Sequence, residues 1–130
     1  TPLTCRRQRQ MCIRDRYLPV VDGRTIFVYK LDRTLPVASN YGIQGAAASV
    51  MYRAMYHVHR LRDEMTSRRN IAMVATVHDE MILAYKEGNA DLAKQILEEG
   101  MKLGWLDIFP DTDLHNLVEA GSGPTWGDAK

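Results

Sequence analysis

At 130 residues, 45% hydrophobic and 25% charged, the chain has the size and composition of a single domain with a modest core. No apolar run approaches the ~20 residues that a membrane-spanning helix needs. Nothing at the N-terminus has the charged, apolar, small-residue order of a secretory signal.

The first sixteen residues read differently from the rest. Arg6 to Asp15 back-translates as CGT CGG CAG CGT CAG ATG TGT ATA AGA GAC, and Arg16 fits the trailing AG plus a purine. That string resembles a transposase-type sequencing adapter ending in its mosaic end. Thr1–Arg16 is therefore expected to be a non-native, disordered leader, and residues 17–130 the folded part. Setting the leader aside removes five arginines and one aspartate. The whole-chain counts of 17 basic and 16 acidic residues become 12 and 15, so +1 becomes −3. Overall charge then gives no argument for a polyanionic partner. Both cysteines, Cys5 and Cys12, fall in the leader too. What remains has neither a disulfide framework nor a thiolate metal site, in keeping with a reducing cytoplasm.

Val20 to Tyr29 reads as a tight turn at Asp22-Gly23 followed by a strand of β-branched and aromatic residues. Leu31 to Pro36 is expected to be a connector, because proline opposes a helix through it. A long helix is predicted from about Ser39 to Arg69, capped by Ser39 or Asn40 and ended by Asn70. Its apolar stripe would be Ile43, Ala47, Val50, Ala54, Val58, Leu61 and Met65, and its length roughly 45 Å. Arg53, Arg60, Arg68 and Arg69 fall off that stripe as a solvated face, and Tyr52 and Tyr56 read as packing residues. Ile71–Val77 and Met81–Tyr85 are two apolar strands flanking His78-Asp79-Glu80, a β-hairpin covered at least in part on both faces. Asn89 caps a second helix reaching about Leu103, with Gly104 as its stop. Trp105–Asp113 is expected to be a loop and Leu114–Ala120 a last strand. The order strand, helix, hairpin, helix, strand predicts an α+β fold: an antiparallel sheet packed by one long and one shorter helix.

Three ionisable side chains between apolar strands are costly unless solvent, a metal or a charged ligand meets them. A carboxylate on a rigid hairpin turn is a good hard-oxygen ligand for Mg²⁺. A plain polar turn is the simpler alternative. Asn40 and Gln44, four apart, share a helix face, and their amides offer the donors that minor-groove base edges accept. A solvated polar edge would look the same. Gly42 and Gly45 weaken the helix unless something must approach it closely. His57 and His59 lie two apart and make a poor metal pair. Asp107, Asp111 and Asp113 lack the spacing of a calcium loop.

In combination these segments resemble the end of a family A (DNA polymerase I-like) DNA polymerase. Asn40-Tyr41-Gly42-Ile43-Gln44-Gly45-Ala46-Ala47-Ala48 is similar to the stretch that begins a long helix after the fingers. Val77-His78-Asp79-Glu80 resembles motif C, and Gly123-Pro124-Thr125-Trp126 onward resembles the family's C-terminal tail. The Asp22-Gly23-Arg24 turn is similar to phage-type members. The resemblance covers Tyr17 to Lys130 and implies a palm-type sheet whose hairpin carries the acidic motif. It implies that Asp79 and His78 are catalytic and that Asp79 binds metal, with Mg²⁺ the cofactor of a two-metal site. It implies that His78 lies near the primer terminus and that Asn40, Gln44 and His78 contact DNA. The partners implied are primer-template DNA and deoxynucleoside triphosphates, in the cytoplasm and without membrane, with a processivity factor left open. Pro36 departs from the pattern, since many bacterial members have arginine there. The motif A aspartate and the fingers residues are absent from the 130 residues, which are therefore expected to be inactive alone. A non-catalytic nucleic-acid-binding α+β module is the competing expectation, and a structural domain with a plain turn a second.

Overall fold

The computed structural model describes residues 17–27 and 34–129. The elements run β1 (Tyr17–Pro19), β2 (Thr25–Phe27), α1 (Thr34–Met65), β3 (Ile71–Val77), β4 (Glu80–Tyr85), α2 (Ala90–Leu106) and a 3₁₀ turn (Trp126–Ala129). The architecture is α+β, with two separate two-stranded antiparallel sheets, β1–β2 and β3–β4. The chain divides into two compact units, residues 1–49 and 50–130, with the division inside α1.

In the first unit, Gly23 takes a left-handed conformation (φ 86°) that closes β1 on β2, pairing Tyr17 with Phe27 and Pro19 with Thr25. The expected continuation of β2 through Val28 and Tyr29, like the leader, lies outside the described residues. Helix α1 begins earlier than proline chemistry suggested. Pro36 sits in its first turn, where the missing N–H would have no partner anyway. Ser39 and Asn40 are consequently inside the helix rather than capping it. Ile43 (71% exposed) and Ala47 do not belong to the buried stripe, and the buried positions are Gly45 and Ser49. A Cβ at Gly45 would lie 3.0 Å from Val20 Cγ1 and 3.1 Å from Ile26 Cδ1, so the hairpin's apolar side chains seat directly on the helix backbone.

In the second unit, Ala54, Val58 and Leu61 of α1, Ile71 and Met81 of the hairpin, and Ala93 and Ile96 of α2 form one buried cluster. Helix α1 ends at Met65, which is 40% exposed, and Asn70 lies beyond it. Tyr52 and Tyr56 are 60% and 59% exposed, contrary to a packing role, while Arg53, Arg60, Arg68 and Arg69 are exposed as expected. Gly104 does not stop α2. It is buried within it, where an added Cβ would fall 2.5 Å from Ala54 Cα. One turn earlier, a Cβ at Gly100 would lie 2.9 Å from the Val58 backbone nitrogen. Two glycines four residues apart thus let α2 approach the α1 backbone too closely for any side chain between them.

Leu114–Ala120 forms no strand. Asn116 has φ 56°, Leu117 donates to the Leu114 carbonyl at 3.3 Å, and the His115 N–H donates to Asp113 Oδ1 at 3.0 Å. Local turn chemistry thus outcompetes the apolar pattern. The tail folds back on itself: the Thr125 hydroxyl donates to Asp128 Oδ2 at 2.5 Å, and a Cβ at Gly123 would meet the Asp128 backbone at 2.8 Å.

Candidate functional site

Strands β3 and β4 pair from Ile71↔Tyr85 to Val77↔Glu80, leaving His78 and Asp79 as a two-residue turn. Glu80 therefore opens β4 rather than belonging to the loop. The register shifts between Met73 and Ala75, so Val74 is an extra residue bulged out of β3 and 61% exposed. A bulge flips the side-chain alternation downstream of it and tightens the local twist. Beyond it, Thr76 rather than Ala75 stands opposite buried Met81. Val74, Ala75 and Thr76 are exposed while Ala72 and Ile82 are half-buried, so the hairpin is covered chiefly on the face carrying Ile71 and Met81 and in part on the other.

His78, Asp79 and Glu80 are all exposed at the end of this hairpin. Solvent meets the three ionisable groups, so holding them there carries little desolvation penalty. His78 has φ 55°, a left-handed conformation that costs a side-chain-bearing residue on the order of 1–2 kcal/mol. Asp79 and Glu80 contribute to the wall of a trough of about 760 Å³, whose other walls come from β4, α2 and the tail, including Ile82, Lys94, Leu97 and Trp126. Among the described residues, no group of three or more His, Cys, Asp or Glu side chains is arranged to hold a metal ion. Asp79 thus presents an exposed carboxylate at the tip of the hairpin.

Asn40 and Gln44 are both exposed on the part of α1 in the first unit, one turn apart on a shared face. Beside them Gly42 is open, with nothing within 4 Å of an added Cβ. Two candidate groups result, one amide-bearing on α1 and one acidic on the β3–β4 hairpin.

Sequence reasoning missed the links made by buried polar residues, having weighed His57 and Asp107 only as metal ligands. His57 donates or accepts through Nε2 at 2.7 Å from Asp107 Oδ2, and its ring is only 10% exposed. Its Nδ1 is buried without a hydrogen-bond partner, as is Trp105 Nε1. His57 thereby ties α1 to the C-cap of α2, and Asp107 serves this link rather than a cation loop. The signal was available: His57 lies three residues after Ala54 and four before Leu61, on the buried stripe. Arg62, also buried, holds Asp63 Oδ1 at 2.8 Å. The Arg62 hydrogen bond keeps the Asp63 carboxyl below its ordinary value despite an opposing desolvation, with Arg62, His59 and Arg68 charges assisting.

The model of DNA polymerase family A matches residues 5–128. Its match begins inside the segment that the codon reading sets apart as a leader. The chain is 31% identical over 117 residues to DNA polymerase I of Deinococcus radiodurans, covering 90% of this chain and 11% of that protein. It is 33% identical over 114 residues to DNA polymerase I of Pseudomonas aeruginosa, covering 87% and 11%. With the thermostable DNA polymerase I of Thermus aquaticus it shares 30% identity over 117 residues, 90% and 13%. The chain thus spans about an eighth of the length of these curated relatives. No solved structure matches significantly.

Proposed function

The chain belongs to DNA polymerase family A, and on that premise we propose that it is the C-terminal palm portion of a DNA-directed DNA polymerase that extends primer 3′ ends. The observation that carries this reading is the His78-Asp79 turn: a strained histidine and an open carboxylate at the tip of a hairpin, inside the family match. Strain of this kind persists only where the surrounding structure enforces it, and it clusters at functional sites. Asp79 is the motif C acid that holds magnesium together with a motif A acid outside these 130 residues. Magnesium bound there supplies charge stabilisation at the attacking 3′-hydroxyl and the leaving pyrophosphate. His78, locked in direction by its backbone, lies against the primer terminus. Asn40 and Gln44 donate to the minor-groove acceptors of the duplex near the new pair, acceptors that are the same for A·T and T·A and so suit contact without sequence choice. Primer-template DNA and deoxynucleoside triphosphates are the substrates, and the cytoplasm is the compartment. The 130 residues alone carry one metal-binding aspartate and do not polymerise.

Asp79→Asn provides the test, in a chimeric DNA polymerase I whose C-terminal portion is residues 17–130 of this chain. The isostere keeps the turn but removes the charge. Nucleotide addition should fall by about 10³-fold while duplex affinity stays within about twofold. Unchanged addition would sink the assignment. The leader proposal has its own check: an uncut copy of the gene should read through the Tyr17 codon into a different upstream sequence that encodes motif A.

A further inference from the structure

Within the first unit, the Asp22-Gly23-Arg24 turn does more than reverse the chain. With Gly23 at φ 86°, Asp22 and Arg24 both face α1. Arg24 Nη2 donates to Ser49 Oγ at 2.8 Å, and Arg24 Nε donates to Asp22 Oδ2 at 2.6 Å. Asp22 Oδ1 also accepts from the Arg24 backbone N–H at 3.2 Å. Ser49 is 1% exposed, and its one proton has two acceptors in reach, Asp22 Oδ2 at 2.8 Å and the Gly45 carbonyl at 2.9 Å. A carboxylate is the stronger acceptor, so the proton goes to Asp22 while that group is charged. Partial burial pushes the Asp22 carboxyl up, but the Ser49 hydroxyl and Arg24 outweigh it, and the group stays below its ordinary value. The same hairpin presses Val20 and Ile26 onto Gly45, the residue after Gln44.

We propose that Asp22, Arg24 and Ser49 form a clamp that positions Asn40 and Gln44 for the DNA duplex, acting through the turn of α1 that the hairpin grips. The inference rests on the reading that those two amides touch the duplex. The clamp and the packing at Gly45 fix the helix from one side, and the amides project where nothing covers them. Holding that turn rigid lowers the ordering cost of contact. Asp22, Arg24 and Ser49 are positioning residues and make no contact with DNA themselves.

A double-mutant cycle on the 130-residue chain tests this, with affinity for a fluorescein-labelled primer-template duplex read by anisotropy at fixed salt. Gln44→Ala should weaken binding about tenfold, and Asp22→Asn about fivefold. In the Gln44→Ala background, Asp22→Asn should add less than about twofold. Circular-dichroism melts verify that each variant is folded at the assay temperature, and Ser49→Ala and Arg24→Lys stand in if Asp22→Asn is not. If Asp22→Asn leaves affinity intact while Gln44→Ala weakens it, the clamp is overturned and the duplex reading stands. The clamp is equally overturned if Asp22→Asn costs the same fivefold in both backgrounds, which marks a general structural role. If Gln44→Ala has no effect, the duplex contact itself is wrong and the clamp falls with it.

Discussion

His78 illustrates how much one backbone angle adds to a residue's identity. Its left-handed φ of 55° is tolerated by histidine, asparagine and aspartate better than by other non-glycine residues, and poorly by β-branched ones. His78→Gly should therefore change stability by less than about 1 kcal/mol, since relief of strain offsets the added freedom of the unfolded chain. His78→Val should destabilise by about 1–3 kcal/mol. Urea denaturation of the three proteins decides the matter, and a fully tolerated valine would show that the turn relaxes easily and is not held. Asp79 contrasts with its neighbour. It is exposed at the same hairpin tip without strain at its own φ.

At the level of elements, glycine marks two different things. Gly104 reads as a helix stop, because one sequence cannot show a second helix pressed against it, and the same contact occupies Gly100 one turn earlier. In the structure, α1 backbone atoms occupy the space a Cβ would need at both. Gly104→Ala gains about 1 kcal/mol in helix propensity but forces the helices apart. A net loss on the order of 2 kcal/mol is expected, read as a lower thermal midpoint. Gly42 is the control: it is helical and uncrowded, so Gly42→Ala should stabilise by about 0.5–1 kcal/mol. A higher midpoint for Gly104→Ala would mean that the close helix contact is not there. The missing strand at Leu114–Ala120 follows the same logic in reverse. An apolar pattern needs a partner edge to become a strand, and here Asn116 and Asp113 direct the backbone into turns instead.

On the scale of the whole molecule, the net charge of +1 becomes −3 when Thr1–Arg16 is left out of the count. Deleting Thr1–Arg16 removes five arginines. Non-specific DNA affinity should fall and its salt dependence become shallower, by up to about four in the log–log slope. The thermal midpoint should stay put. A drop beyond about 5 °C would show that the leader belongs to the fold. The sequence by itself determined the α+β class, the hairpin with its acidic turn, the exposed amide pair and the family. Each rests on local periodicity or on a short run of residues whose order carries the information. Tertiary structure alone decided the Val74 bulge, the strain at His78, the roles of Gly45, Gly100 and Gly104, and the buried His57–Asp107 and Asp22–Arg24–Ser49 links. These depend on which surfaces meet across tens of residues, and contact between distant segments is a property of the packed chain that no local pattern encodes.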